Sequence, residues 1–127
     1  MSVPFDAPRG LVVVQAAVDG PSGTAVLRLA LDTGATGTVI NVGLLVALGY
    51  DPALVPERIQ VTTGSSVEFV PRVPLQKIIA LGQERINFPV LAHTLPSSAG
   101  MDGLLGLDFL RGQTLTVDFR TGTITLT

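Results

Sequence analysis

The 127-residue chain contains no cysteine. Disulfides, cysteine nucleophiles and thiolate zinc sites are excluded with it. Histidine occurs once, at His93. One imidazole cannot build a multi-histidine metal site within one chain, and a Ser-His-Asp triad would have to use that residue. No metal site is expected. Tryptophan is absent and aromatic residues make up 5 %, so the core must be assembled from Val, Leu, Ile and Ala. Charge is sparse too. Eight Lys and Arg against ten Asp and Glu leave a formal net charge of -2, with no basic stripe, so nucleic acid is not an expected partner. No apolar run approaches the length that crosses a bilayer. The opening "MSVPFDAPRG" has neither a basic start nor an apolar segment. A secretory signal is not expected, and a cytoplasmic location is the default.

What is present points to a folded β protein. The apolar fraction is 46 %, ample for a core, and the length suits one domain over residues 1–127. Residues 11–18, "LVVVQAAV", read as a mostly buried strand, and "DGPSG" (19–23) as a turn. Residues 24–32 alternate, with Leu27, Leu29 and Leu31 on one face, and form its hairpin partner. Asn41 can cap a short helix carrying Leu44, Leu45 and Leu48 and ending at Gly49. Residues 58–62 and 66–73 read as strands around an exposed tip. "LQKIIAL" (75–81) and "RINFPVLAH" (85–93) read as two further strands, and "PSSAGMDG" as a loop. "LLGLDFL" can make one or two helical turns. At the C-terminus, Leu115, Val117 and Phe119 alternate with polar residues, as do Ile124 and Leu126 after Thr121-Gly122, giving a hairpin with one buried face. The fold class expected is all-β, a sandwich or barrel with one or two short helices.

Within this frame, "LRLALDTGATGTVIN" (27–41) ends an apolar strand on a carboxylate, Asp32, with Thr33 and Gly34 behind it. An Asp at a strand end is ordinarily a turn or cap residue. Here "GLLGLDFL" (103–110) follows much later, with the hairpin around "TTGSS" between. This order resembles the retropepsin-like aspartic proteases, the single-domain relatives of pepsin, and is most similar to their bacterial members. The match runs through Leu31 to Ala35, the Leu104-Leu105-Gly106 element and Asp108-Phe109-Leu110.

The resemblance implies an acid protease barrel and an aspartic endopeptidase in which Asp32 is catalytic, Thr33 and Gly34 support its loop, and no cofactor takes part. Ala35 and Thr36, with Thr62, Thr63, Gly64 and Ser65 of a flap, would bind a peptide or protein substrate. Two carboxylates sharing one proton can supply both the base and the acid of peptide hydrolysis. The sequence holds one Asp-Thr-Gly, so the resemblance implies a homodimer with one Asp32 from each copy. An Asp and Arg that pair in many viral members are replaced here by Thr36 and Leu107, so loop support or the dimer contact must differ. The alternative from another class is a catalytically silent domain of this fold that binds peptides or mediates dimerisation. His93 reads as a surface residue at a strand end, Asp108 as a helix cap or support, and Arg111 as a solvated charge. Leu104 and Leu105 read as core.

Overall fold

A computed structural model describes residues 1–62, 64–95 and 100–127. The expected loop at 96–103 lies partly outside them. Among these residues, ten strands and two short helices follow in the order β1 (Ser2–Pro4), β2 (Val13–Gly20), β3 (Gly23–Leu31), β4 (Val39–Asn41), α1 (Val42–Ala47), β5 (Arg58–Thr62), β6 (Val67–Ala80), β7 (Gln83–His93), β8 (Gly103–Leu105), α2 (Leu107–Leu110), β9 (Leu115–Asp118) and β10 (Thr123–Leu126). The all-β expectation holds, and both short helices are present.

One sheet runs β2-β3-β8-β4-β7-β6-β5, and β2 also pairs with β6. That extra pairing closes β2, β3, β8, β4, β7 and β6 into a six-stranded barrel, with β5 carried outside it on the upper half of β6. A second sheet, β1-β10-β9, joins the two ends of the chain, with Ser2 opposite Thr125. The barrel interior is aliphatic: Val14, Ala16, Val18, Leu27, Leu29 and Ile40 are buried, as the lack of aromatics requires. Phe109 is the largest fully buried side chain. Phe88 meets it edge-on at 5.7 Å and the Arg85 guanidinium lies 4.7 Å from its ring centre.

Several boundaries differ from the expectations. Residues 66–73 and 75–81 are not separate strands but one fourteen-residue strand, β6. Pro74 lies within this strand, and the ladder absorbs it. N–H groups alternate between the two edges of a strand. On one edge of β6 the Arg72 N–H donates to Glu57 and the Gln76 N–H to the Tyr50 hydroxyl. Pro74 falls between them on that edge, past the start of β5, where no donor is needed. The β6–β7 turn is Leu81-Gly82, both at positive φ (53° and 74°), so Leu81 belongs to the turn and not to the strand; this is the primed geometry that suits a two-residue hairpin. The first hairpin is likewise tighter than expected, with β2 continuing through Gly20 and only Pro21-Ser22 left as its turn. β2 buries one face rather than being mostly buried: Gln15 is exposed between Val14 and Ala16. β10 buries Ile124 and Leu126 as expected, but Phe119 lies beyond β9, 63 % exposed. It packs edge-on against Phe5 in a turn whose Arg120 and Thr121 N–H groups donate to Asp118 Oδ1. Those bonds hold the Asp118 carboxyl below its usual range.

The Asn41 cap forms as expected, accepting from the Gly43 N–H at 3.1 Å. Gly49 follows the helix at φ +94°.

Candidate functional site

Alternation along β3 puts Leu27 and Leu29 inward and carries the chain to the barrel rim. Pairing persists one residue beyond the strand: the Leu31 N–H donates to Val12 O at 2.8 Å and the Asp32 N–H to Leu105 O at 3.0 Å. The chain then turns on itself. The Gly34 N–H donates to Asp32 Oδ1 at 2.9 Å, and the Ala35 N–H to Asp32 O at 3.2 Å. Asp32 is half-buried. Its carboxylate is thus anchored through one oxygen at the end of a rigid strand. A Cβ added at Gly34 would stand 3.2 Å from that same oxygen, so the glycine keeps the space beside the carboxylate.

The chain order places β8 between β3 and β4, which forces residues 32–38 to pass over its end. Gly106 lies under this crossing. A Cβ there would come within 2.7 Å of Gly37 backbone and 2.9 Å of Ala35 O, closer than side chains approach, so no larger residue fits without shifting the loop. The loop is tied down on this side. The Leu107 N–H donates to Ala35 O at 2.8 Å. The Thr38 hydroxyl donates to Asp108 Oδ1 at 2.7 Å and accepts the Gly106 N–H at 3.1 Å, while the Thr38 N–H donates to Asp108 Oδ2 at 3.0 Å. Thr38 is 0 % exposed, and the Phe109 N–H adds a third donor to Asp108. This network replaces the missing ion pair of Thr36 and Leu107 with a neutral hydroxyl and a carboxylate supplied with three donors, which suits a partly buried charge. Thr38 was not among the residues singled out from the sequence. Its neighbour in space, Asp108, was read as a cap or support of the helix; through Thr38 it also ties down the loop.

A cleft of about 380 Å³ opens beside the loop. Gly34, Ala35 and Thr36 lie on one side and Ile59, Val61 and Thr62 of β5 on the other, with Leu91 behind. Ala35, Thr36 and Thr62 are therefore brought together. Gly64 and Ser65 are exposed and line none of the cavities described. Thr63 lies outside the described residues. Ile59, Val61 and Leu91 were not singled out from the sequence, although alternation in 58–62 marks the first two as one face. An adjoining cavity of about 240 Å³ adds Arg72 and Asp108; Arg72 donates to Glu57 at 2.8 Å across the root of the β5–β6 hairpin. Thr33 faces a different cavity, of about 410 Å³, with Leu107, Leu110 and Arg111. The Thr33 hydroxyl makes no hydrogen bond among the described residues. His93 ends β7, its Nε2 3.7 Å from Glu68 Oε2 at the surface. Among the described residues no three His, Cys, Asp or Glu side chains converge as a metal site, and no helix is long and apolar enough to cross a membrane.

A family model described as aspartyl protease matches residues 14–109. No curated protein sequence matches the chain. Among solved structures, the chain is similar to a retropepsin-like aspartic protease from Rickettsia conorii, at 16 % identity and a TM-score of 0.73, over 99 % of this chain and 89 % of that one. It is also similar to the retroviral protease-like domain of Ddi1 from Leishmania major, at 17 % identity and a TM-score of 0.61, over 92 % of this chain and 94 % of that one.

Proposed function

Because the chain belongs to the aspartyl protease family and has the retropepsin-like fold, we propose that it is an aspartic endopeptidase, active as a homodimer whose dyad is Asp32 and Asp32 of the partner subunit. The observation that carries this reading is the setting of Asp32: a carboxylate fixed by its own turn at a strand end, beside a cleft open to an extended peptide. One Asp-Thr-Gly per chain leaves the dyad incomplete without a second copy.

The chemistry follows from two like carboxylates brought close, which share one proton. The ionised carboxylate takes a proton from a water whose oxygen attacks the peptide carbon. The protonated carboxyl gives its proton to the carbonyl oxygen, forming a tetrahedral diol. Return of a hydroxyl proton to the pair, and of a proton from the pair to the amide nitrogen, breaks the C–N bond and restores the dyad. Gly34 holds one oxygen of each carboxylate, leaving the other for water. Thr33, without a hydrogen-bond partner among the described residues, is available to the opposite loop. Ile59, Val61 and Leu91 give the cleft apolar walls suited to apolar side chains beside the cut bond.

The test is cleavage of a mixed peptide library at acidic pH by the wild type and by Asp32→Asn. The amide cannot accept the water's proton, so cleavage should vanish while thermal unfolding changes little. Residual cleavage by the variant would remove Asp32 from the chemistry. A wild type that binds peptides without cutting them would favour the silent binding domain.

A further inference from the structure

Two adjoining cavities, of about 350 and 340 Å³, share Arg9, Leu11, Val13 and Arg28 in their walls. Neither shares a residue with the cleft beside β5. They nevertheless belong to the same face of β3 as the carboxylate. Residues two apart on a strand point the same way, so Arg28, Ala30 and Asp32 are in phase. The N–H of Leu31 turns to β2's side and that of Asp32 to β8, so the alternation survives to residue 32. At about 3.3 Å per residue, Arg28 lies roughly 13 Å along the strand from Asp32.

Two arginines, Arg9 and Arg28, and one carboxylate, Asp6, line the first cavity. The Arg28 backbone N–H donates to Asp102 Oδ2 at 2.8 Å, but its guanidinium has no ion pair among the described residues. Arg9 Nε stands 3.6 Å from Asp6 Oδ2, with both side chains more than 60 % exposed (62 % and 63 %). So solvated a pair is weak and readily exchanged. Leu11, 51 % exposed, and Val13 supply apolar surface in the walls of both cavities. Two forked donors over an aliphatic wall suit a carboxylate on a short methylene stem.

We infer that this face is an acidic subsite of the substrate groove, binding Glu or Asp three to four residues from the cut bond. The inference rests on the proteolytic reading above, since it takes the distance from Asp32 as the distance from the reacting bond. An extended peptide advances about 3.3 Å per residue, so 13 Å corresponds to about four residues. A two-fold axis repeats the arginines on the other side of the dyad, so the preference should appear on both sides of the cut.

Fixed-length decapeptide libraries with Glu, Gln or Lys at those positions test it. The wild type should cleave Glu over Gln by roughly tenfold in kcat/KM, carried mainly by KM, and Lys least. Arg28→Gln and Arg9→Gln should each bring the Glu-to-Gln ratio towards one, and Arg28→Lys should restore part of it. A parallel arm measures binding of fluorescein-labelled Glu and Gln decapeptides to Asp32→Asn. If nothing is cleaved but Asp32→Asn binds the Glu peptides more tightly, proteolysis falls and the acidic subsite stands. Equal treatment of Glu and Gln in both arms overturns the subsite and leaves proteolysis untouched. An unchanged ratio in Arg28→Gln, with a weakened dimer, would assign the arginines to the contact between copies and also overturn it.

Discussion

Among single residues, Thr38 contributes more to the site than its chemistry suggests. Its hydroxyl fills two roles at once, as donor to Asp108 and acceptor for Gly106. Valine has the same shape without either bond. Thr38→Val should lower stability by about 2 kcal/mol, mainly because the Gly106 N–H loses its acceptor in a buried place; urea denaturation with an unchanged m-value checks it. Tyr50 offers a different kind of test, because it is the single tyrosine and no tryptophan interferes. Its hydroxyl donates to Asp19 O and accepts the Gln76 N–H. Burial, first, raises its pKa above the ordinary 10.0, against the lowering effect of the Gln76 bond. The folded chain therefore keeps a proton that the unfolded chain releases. The resulting stability is complete below pH 10 and is lost as pH climbs through the higher folded value. Absorbance titration should show the phenolate appearing above pH 10 in the native protein. Tyr50→Phe should unfold with a shallower pH slope above pH 10.

At the level of the element, the β5–β6 hairpin stands apart from the barrel. Its root is joined by the Glu57–Arg72 pair, and a Cβ at Gly64 would meet nothing within 4 Å. Gly64→Val should therefore change stability by less than about 0.5 kcal/mol while slowing peptide cleavage, which denaturation and turnover measured side by side will separate. The same hairpin shows what the sequence conveys about elements. Local signals were legible: the Asn41 cap, the alternation of Leu27 and Leu29, and the turn after Asp32 each depend on residues within a few positions. The length of β6 was not, because Pro74 is harmless only given which edge faces no neighbour. β1 was hidden too, since three residues become a strand only when residues 123–125 lie beside them. The tie between Thr38 and Asp108 joins positions seventy apart, which no local pattern reveals. Phe119 kept the alternation of its strand, but the turn began one residue earlier.

For the whole molecule, the central question is the second copy. One Asp32 per chain predicts a symmetric dimer, and sedimentation at high micromolar concentration should return twice the 13.2 kDa monomer mass. If two carboxylates meet there, the dimer retains a proton that separated subunits release. The sign follows: dimer stability falls as pH rises through the window in which only the dimer is protonated. Dissociation constants from pH 4 to 7.5 should rise for the wild type, and that component should be missing from Asp32→Asn. Equal slopes for both would mean that the carboxylates do not meet.

The insertion of β8 between β3 and β4 also sets a clock. Asp32 takes its backbone partner from Leu105, and Thr38 takes its own from Gly106 and Asp108. The ribosome adds roughly 5–20 residues per second. Some seventy residues separate the Asp32 turn from the segment that fixes it, so several seconds of synthesis pass before the loop has anything to lean on. Until then the carboxylate hangs on an unanchored turn. A growing chain thus carries its own delay, and the Asp32 carboxylate is aimed only once the segment through Asp108 has been made.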